Sequence, residues 1–276
     1  MTSVAAIQMA SGPNLNANLI EAGRLIKDAV KAGAQLVVLP ENFAMMGIKD
    51  SDNLAHQESA GDGPIQEFLS QQASQHGIWI IGGTFPMVSP DAERAYSSCL
   101  VFNDKGEQVA SYQKIHLFDV HIDSTGENYN ESEVITPGDH IEVIDSPFGK
   151  IGLAICYDLR FPELFRAMVS QGAQIIAVPS AFTAITGKAH WEVLCRSRAV
   201  ENISYLIAAG QGGYHVSGRE TYGDSMIVDP WGQVLDRLPH GSGVVIADID
   251  VQHVESIRKN FPAIEHRRLH CDFTPK

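Results

Sequence analysis

Several features are scarce in this chain of 276 residues, and each scarcity removes a class of protein. Cysteine is one: Cys99, Cys156, Cys195 and Cys271 lie far apart and form no Cys-x-x-Cys pair. A disulfide framework is therefore not expected, and reduced thiols fit a cytosol-like compartment. No apolar run approaches the ~20 residues that span a bilayer. Met1-Thr2-Ser3-Val4 leads almost directly into an apolar strand pattern without a basic leader, so a cytoplasmic protein is expected. Positive charge is also short, with 20 Lys+Arg against 33 Asp+Glu and a net charge of −13. Such a surface repels phosphate backbones and anionic lipid, which argues against nucleic acid or a membrane surface as partner. A local basic pocket for a small acid stays compatible with it. Charged residues make up 19% of the chain, below the roughly 25% usual in soluble proteins. With 44% hydrophobic residues the chain can bury a large core, and its composition is not that of a disordered protein.

The hydrophobic pattern alternates short apolar runs with amphipathic stretches. Residues 4–9 read as a buried strand, and Asn14 or Asn16 can cap a helix reaching residue 32, with Gly33 as its stop. Strands are expected at 35–39, 78–81, 96–102, 107–113, 141–144, 151–155, 174–178, 205–209, 225–228, 233–235 and 244–249. Further helices are expected at 65–76, 162–171, 189–201 and from residue 251. The stretch 117–140 reads as a long polar loop, the kind that is usually functional or mobile. The alternation gives an α/β protein, and the closing run of strands makes its sheets mixed. Gly33-Ala34-Gln35-Leu36-Val37-Val38-Leu39-Pro40-Glu41-Asn42-Phe43 is echoed by Gly172-Ala173-Gln174-Ile175-Ile176-Ala177-Val178-Pro179-Ser180-Ala181-Phe182, at a constant offset of 172 − 33 = 139. The echo is either shared turn chemistry or the mark of two similar sheet halves facing one another. We favour the halves. No linker-like composition separates them, so residues 1–276 are expected to form a single domain.

Three polar residues stand at the ends of expected strands. Cys156 ends Gly152-Leu153-Ala154-Ile155 just before a turn and a helix opening on Pro162. Taken alone a cysteine is most often a small buried hydrophobe. On a strand–turn–helix corner it is instead a nucleophile whose neighbouring backbone N–H groups, Tyr157 first, can bind an oxyanion. Lys114, in Tyr112-Gln113-Lys114-Ile115-His116-Leu117-Phe118, is a cation among apolar and aromatic residues. Glu41 follows Val37-Val38-Leu39-Pro40 at the sheet rim where α/β folds place ligands. Together they make a thiol hydrolase without histidine: the carboxylate takes the thiol proton, and the ammonium and the Tyr157 N–H stabilise the oxyanion. A Cys–His protease with His116 or His190 as base, and an idle scaffold of the same fold, are the rival readings. His266, His270 and Cys271 read as terminal surface residues rather than metal ligands, and no metal or cofactor is expected.

These segments resemble the three signatures of the nitrilase superfamily of carbon–nitrogen hydrolases, in that family's order and across essentially the whole chain. The resemblance implies a four-layer α-β-β-α sandwich with two mixed sheets and pseudo-twofold halves. It implies Glu41 as general base, Lys114 as stabiliser of the oxyanion and Cys156 as nucleophile. Glu131-Ser132 with Pro137-Gly138 looks like the family's second glutamate loop, which would place Glu131 beside Lys114; an exposed loop acid is the plainer alternative. The stretch from Pro179 through Thr186-Gly187-Lys188-Ala189-His190-Trp191-Glu192, with Asp229-Pro230-Trp231-Gly232, is similar to the branch of deaminated glutathione amidases. The sister branch of ω-amidases shares much of it. Either branch implies a small-molecule amide substrate, the ω-amide of a 2-oxo acid, cleaved through a cysteine thioester. Deaminated glutathione would yield 2-oxoglutarate and Cys-Gly, and α-ketoglutaramate is the alternative substrate. Lys188 departs from the proline usual in both branches, which bears on the pocket rim. A homodimer or higher homo-oligomer is implied as well, with contact along the helix after Cys156.

Overall fold

The computed structural model describes residues 1–123 and 126–269, so His270 and Cys271 lie outside the described residues. In the first half, β1 (Thr2–Gln8), β2 (Leu36–Val38) and β3 (Trp79–Ile81) run parallel, joined by α1 (Leu15–Lys31) and α2 (Pro64–His76). β4 (Phe85–Val88), β5 (Ala95–Phe102) and β6 (Gln108–Gln113) complete that side of the sheet. A hairpin, β7 (Asp119–Ile122) and β8 (Glu127–Asn130), follows. The second half runs β9 (Val143–Ser146), β10 (Gly149–Leu153), α3 (Pro162–Ser170), β11 (Ile175–Ser180), α4 (Ala184–Asn202) and β12 (Tyr205–Gly210). After it come the hairpin β13 (Gly212–Tyr214) and β14 (Glu220–Tyr222), then β15 (Ser225–Val228), β16 (Val234–Leu238), β17 (Gly243–Ile249) and α5 (Val251–Asn260).

The strand orders explain the sequence echo. One sheet reads β17-β1-β2-β3-β5, antiparallel only at its first and last pairings, and the other reads β9-β10-β11-β12-β15 with the same pattern. Gly33 and Gly172 both take left-handed backbone, φ +99° and +96°, which suits glycine at a helix exit. The following bonds match too: Gln35 N donates to Ser3 O at 2.8 Å and Gln174 N to Lys150 O at 2.9 Å. The halves are not fully separate, because β17 crosses back to pair with β1, with Ala5 opposite Ile246.

Alternation along β1 builds the layers, since successive side chains point to opposite faces. Ala5 and Ile7 pack with Ala22, Leu25 and Ile26 of α1 and Ile65 and Leu69 of α2. Val4 and Ala6 face the other way, into a core shared with Ile151, Ile176 and Ile207 of the second sheet. Beyond that sheet lie Phe165 and Met168 of α3 and Trp191 and Cys195 of α4. The order helix, sheet, sheet, helix is the expected four-layer sandwich. Asn14 caps α1 by accepting from Ala17 N at 3.0 Å, as its position suggested.

Three local differences have physical causes. Residues 117–140 are not structureless: β7 and β8 pair there, and a short 3-10 turn over Glu131–Glu133 closes the segment. β4 contains Pro86, tolerated because β4 is an edge strand and needs no donor there. α4 begins five residues earlier than its apolar pattern suggested, at Ala184, because Thr183 Oγ1 accepts from Thr186 N at 3.3 Å and caps the first turn. Gly187 inside that helix is set by tertiary contact, since a Cβ there would sit 2.2 Å from Tyr222 Cβ.

Candidate active site

Each candidate side chain is delivered by the end of an ordered element. Glu41 follows β2, where Gln211 Nε2 donates to its backbone carbonyl at 3.0 Å and Asn42 N donates to Thr84 Oγ1 at 2.9 Å. Lys114 follows β6, its backbone N–H on Ser97 O at 3.0 Å. Cys156 opens a 3-10 turn, Cys156–Arg160, with left-handed φ of +45°, unfavourable for a residue with a Cβ and found mainly where a site dictates it. Glu131 comes from the 3-10 turn after β8.

The structure brings these four together. The Lys114 ammonium donates to Glu41 Oε1 at 2.7 Å and to Glu131 Oε1 at 2.9 Å. Glu131 Oε2 accepts from Phe118 N at 2.7 Å, which fixes the carboxylate against the strand that follows. The Cys156 thiol has the Glu41 carboxylate and the Ala181 N–H within hydrogen-bonding reach. Lys114, Glu41 and Cys156 are 2%, 4% and 8% exposed, so their charges act in a low-dielectric hollow. Tyr157 lines the same cleft, its ring edge-on to Phe118 and Phe161.

Burial pushes the Cys156 thiol well up, and the Glu41 carboxylate raises it further; Lys114 and the Ala181 amide pull the other way. Burial opposes charge at Lys114, but Glu131, Glu41 and the sulfur outweigh it and hold the ammonium well above its usual range. Glu131 is raised, by burial first and then by Glu41, against the pull of Lys114. The resting site is thus a neutral thiol beside a charged ammonium, with the proton of the thiol aimed at a carboxylate.

Neither histidine is placed as a base. His116 Nδ1 lies 2.7 Å from Asp158 Oδ1 and its ring stacks on Phe161 at 3.7 Å. His190 is exposed, with Nδ1 accepting from Arg160 at 3.2 Å. Lys188, the departure from proline, is exposed on α4 and is not among the residues that line the cleft.

Several residues of the site were not singled out from the sequence. Asp158, fully buried, accepts from Ile155 N at 2.8 Å, Tyr112 Oη at 2.8 Å and His116 N at 3.2 Å. It therefore ties the Cys156 turn to the segment carrying Lys114. Gln211 Nε2 also donates to Ser11 Oγ at 2.7 Å, bracing Glu41 from behind. Arg160 and Arg219 line the cleft, and neither is ion-paired to a described side chain. The cleft encloses about 720 Å³ including its open mouth, enough for a small molecule, with Phe182, Thr183 and Thr186 on its far wall.

The four-layer sandwich, with a polar cleft at its strand ends, is that of a hydrolase acting on carbon–nitrogen bonds. The chain belongs to the carbon–nitrogen hydrolase family, whose sequence model matches residues 3–259. It is 40% identical to a deaminated glutathione amidase of Yersinia enterocolitica, over 99% of this chain and 96% of that protein. Among solved structures it is similar to Saccharomyces cerevisiae Nit3, a member of branch 10 of the nitrilase superfamily, with TM-score 0.87, 34% identity and 97% of each chain covered. It also matches the C. elegans NitFhit protein, with TM-score 0.87 and 37% identity, over 97% of this chain and 65% of that longer one. No described helix is long and apolar enough to cross a membrane.

Proposed function

We propose that this protein is an amidase that hydrolyses the ω-amide of a small 2-oxo acid, and that deaminated glutathione is its substrate, released as 2-oxoglutarate and Cys-Gly. The observation that carries the reading is the Lys114 ammonium held at 2.7 Å by Glu41 and 2.9 Å by Glu131 beside the Cys156 thiol. The substrate itself rests on the name of the Yersinia enterocolitica relative.

In this reading Glu41 takes the thiol proton as sulfur attacks the amide carbon. The oxyanion forms against Lys114 and the Tyr157 N–H. Glu41 then returns the proton to the departing amine, leaving an acyl thioester on Cys156. The same carboxylate next activates water, whose attack releases the acid and restores the thiol. Glu131 keeps Lys114 aimed by sharing its protons and the Phe118 N–H. In this reading Arg160, on the nucleophile's own turn and with its guanidinium 5.4 Å from the Phe182 ring centre, takes the carboxylate of the 2-oxo acid. No step needs a metal or cofactor.

Residues 1–276 act as one domain in this reading, supported by the return of β17 to β1. Self-association is part of it as well. The apolar side chains of α3, from Leu164 to Val169, are already buried, whereas Val193 and Val200 of α4 are exposed. Contact between copies is therefore expected along α4 rather than α3, and sedimentation of the wild type against a Val193→Ser/Val200→Ser variant tests it.

The functional test is turnover of deaminated glutathione and of α-ketoglutaramate by the purified protein, with Cys-Gly and ammonia assayed separately. Release of Cys-Gly at the higher kcat/KM supports the proposal. Release of ammonia alone assigns the protein to α-ketoglutaramate instead. Ordinary turnover by Cys156→Ala overturns the mechanism.

A further inference from the structure

Among the described residues, Arg219 is the one cleft cation that the mechanism leaves without a task. It stands at the end of the turn between β13 and β14, on a segment separate from the strand ends that carry Glu41, Lys114 and Cys156. Its Nη2 donates to Ala181 O at 3.2 Å, and its guanidinium lies 5.1 Å from the Tyr129 ring centre. Its Nε is buried without a hydrogen-bond partner among the described residues. No described carboxylate pairs with it, in a chain where acids outnumber bases 33 to 20. A buried unmet donor on an unpaired guanidinium is costly unless a ligand supplies the acceptor.

We infer that Arg219 receives a carboxylate on the leaving-amine side of the substrate, and so selects 2-oxo-acid amides whose amine portion ends in an acid. This rests on the amidase reading above. Position supports the assignment. Ala181 bridges the two groups: its N–H faces the Cys156 thiol and its carbonyl holds Arg219. The guanidinium is thus one residue removed from the nucleophile. In an extended dipeptide the terminal carboxylate lies about 7 Å from the nitrogen of the scissile bond, two residues at ~3.5 Å each. The acyl side stays on sulfur in the thioester and has Arg160 on the same turn. The amine side must depart, and Arg219 stands on a different element, beside the exposed Gly218 and Glu220. A planar fork with free N–H groups is suited to bidentate capture of a carboxylate.

The test pairs substrate with residue. Deaminated glutathione and its C-terminal glycinamide are compared on the wild type, Arg219→Gln and Arg219→Lys. The wild type is expected to lose about tenfold or more in kcat/KM on the amide, chiefly through KM, as a charge-assisted hydrogen bond is removed. In Arg219→Gln the two substrates should differ by less than about twofold, the sign that residue and carboxylate interact directly. Arg219→Lys should keep part of the preference. An equal fall on both substrates with the preference intact would mean that Arg219 only braces Ala181, and it overturns the inference. A wild type indifferent to the amide does the same while leaving the amidase reading standing. A wild type that releases no Cys-Gly sinks the amidase substrate and this inference together.

Discussion

The Tyr112 hydroxyl donates to Asp158 Oδ2 at 2.8 Å, joining the strand just before Lys114 to the turn that begins with Cys156. The same oxygen accepts from Ile155 N, and Oδ1 takes His116 N. One buried carboxylate therefore ties the segment that carries Lys114 to the turn that carries Cys156. Asp158→Ala leaves these donors unmet, and a loss of about 3 kcal/mol is expected from urea unfolding. Asp158→Asn keeps the shape but turns an amide N–H toward donors. It should fold with a smaller loss and a lower kcat, with KM changing less. Unchanged kcat in a folded Asp158→Asn would remove Asp158 from the positioning of the site.

The electrostatics at Cys156 have a sign that alkylation can read. Burial and Glu41 raise the thiol, so at neutral pH it is protonated and its reaction with iodoacetamide should accelerate as pH rises into the alkaline range. Glu41→Gln removes a negative charge, so the thiolate forms at lower pH and the alkylation profile moves toward acid. Turnover moves the other way, falling roughly a thousandfold with loss of the proton carrier. A variant that alkylates more readily yet turns over poorly separates the base from simple activation of sulfur. A profile displaced toward alkali would contradict the arrangement.

Lys114 is a cation between two acids, and breaking such a set costs more than deleting it. Lys114→Met leaves Glu41 buried without its partner, and a loss of about 3–5 kcal/mol is expected in thermal or urea unfolding. Adding Glu41→Gln to it should restore part of that stability, since the orphaned charge goes too. Additive losses in the double variant would mean that the two groups do not form a buried pair in solution. Because the ammonium is held above its ordinary range, the stability it contributes is complete at neutral pH and lost only as pH climbs through its raised titration.

Glu41, Lys114 and Cys156 were legible in the sequence because each stands just past a strand, a local pattern that topology turns into one rim. The echo of 33–43 in 172–182 was legible for a similar reason: both segments leave a helix through a left-handed glycine into a parallel strand. Asp158 was not, since its meaning depends on Tyr112 and His116, 46 and 42 residues away. Gln211 reaches 170 residues back to the Glu41 carbonyl, and its neighbours in the chain carry no sign of it. β4 was hidden by Pro86, and the start of α4 by Gly187, both residues whose cost is offset by position in the finished fold.

Cys156 also has a backbone that its side chain does not favour. At φ +45° any residue with a Cβ is disfavoured against glycine by about 1 kcal/mol. Neither Cys156→Ala nor Cys156→Gly retains sulfur, so both should be inactive and their stabilities can be compared free of the thiol. Glycine ordinarily destabilises relative to alanine because it frees the unfolded chain. Here the folded-state relief should reverse that order, and Cys156→Gly should melt at or above the temperature of Cys156→Ala. A clearly lower melting temperature for the glycine variant would mean that the Cys156 turn does not hold the left-handed geometry in solution. The aim of the sulfur at Glu41 would then need another source, because that turn is what points it out of the strand and into the cleft.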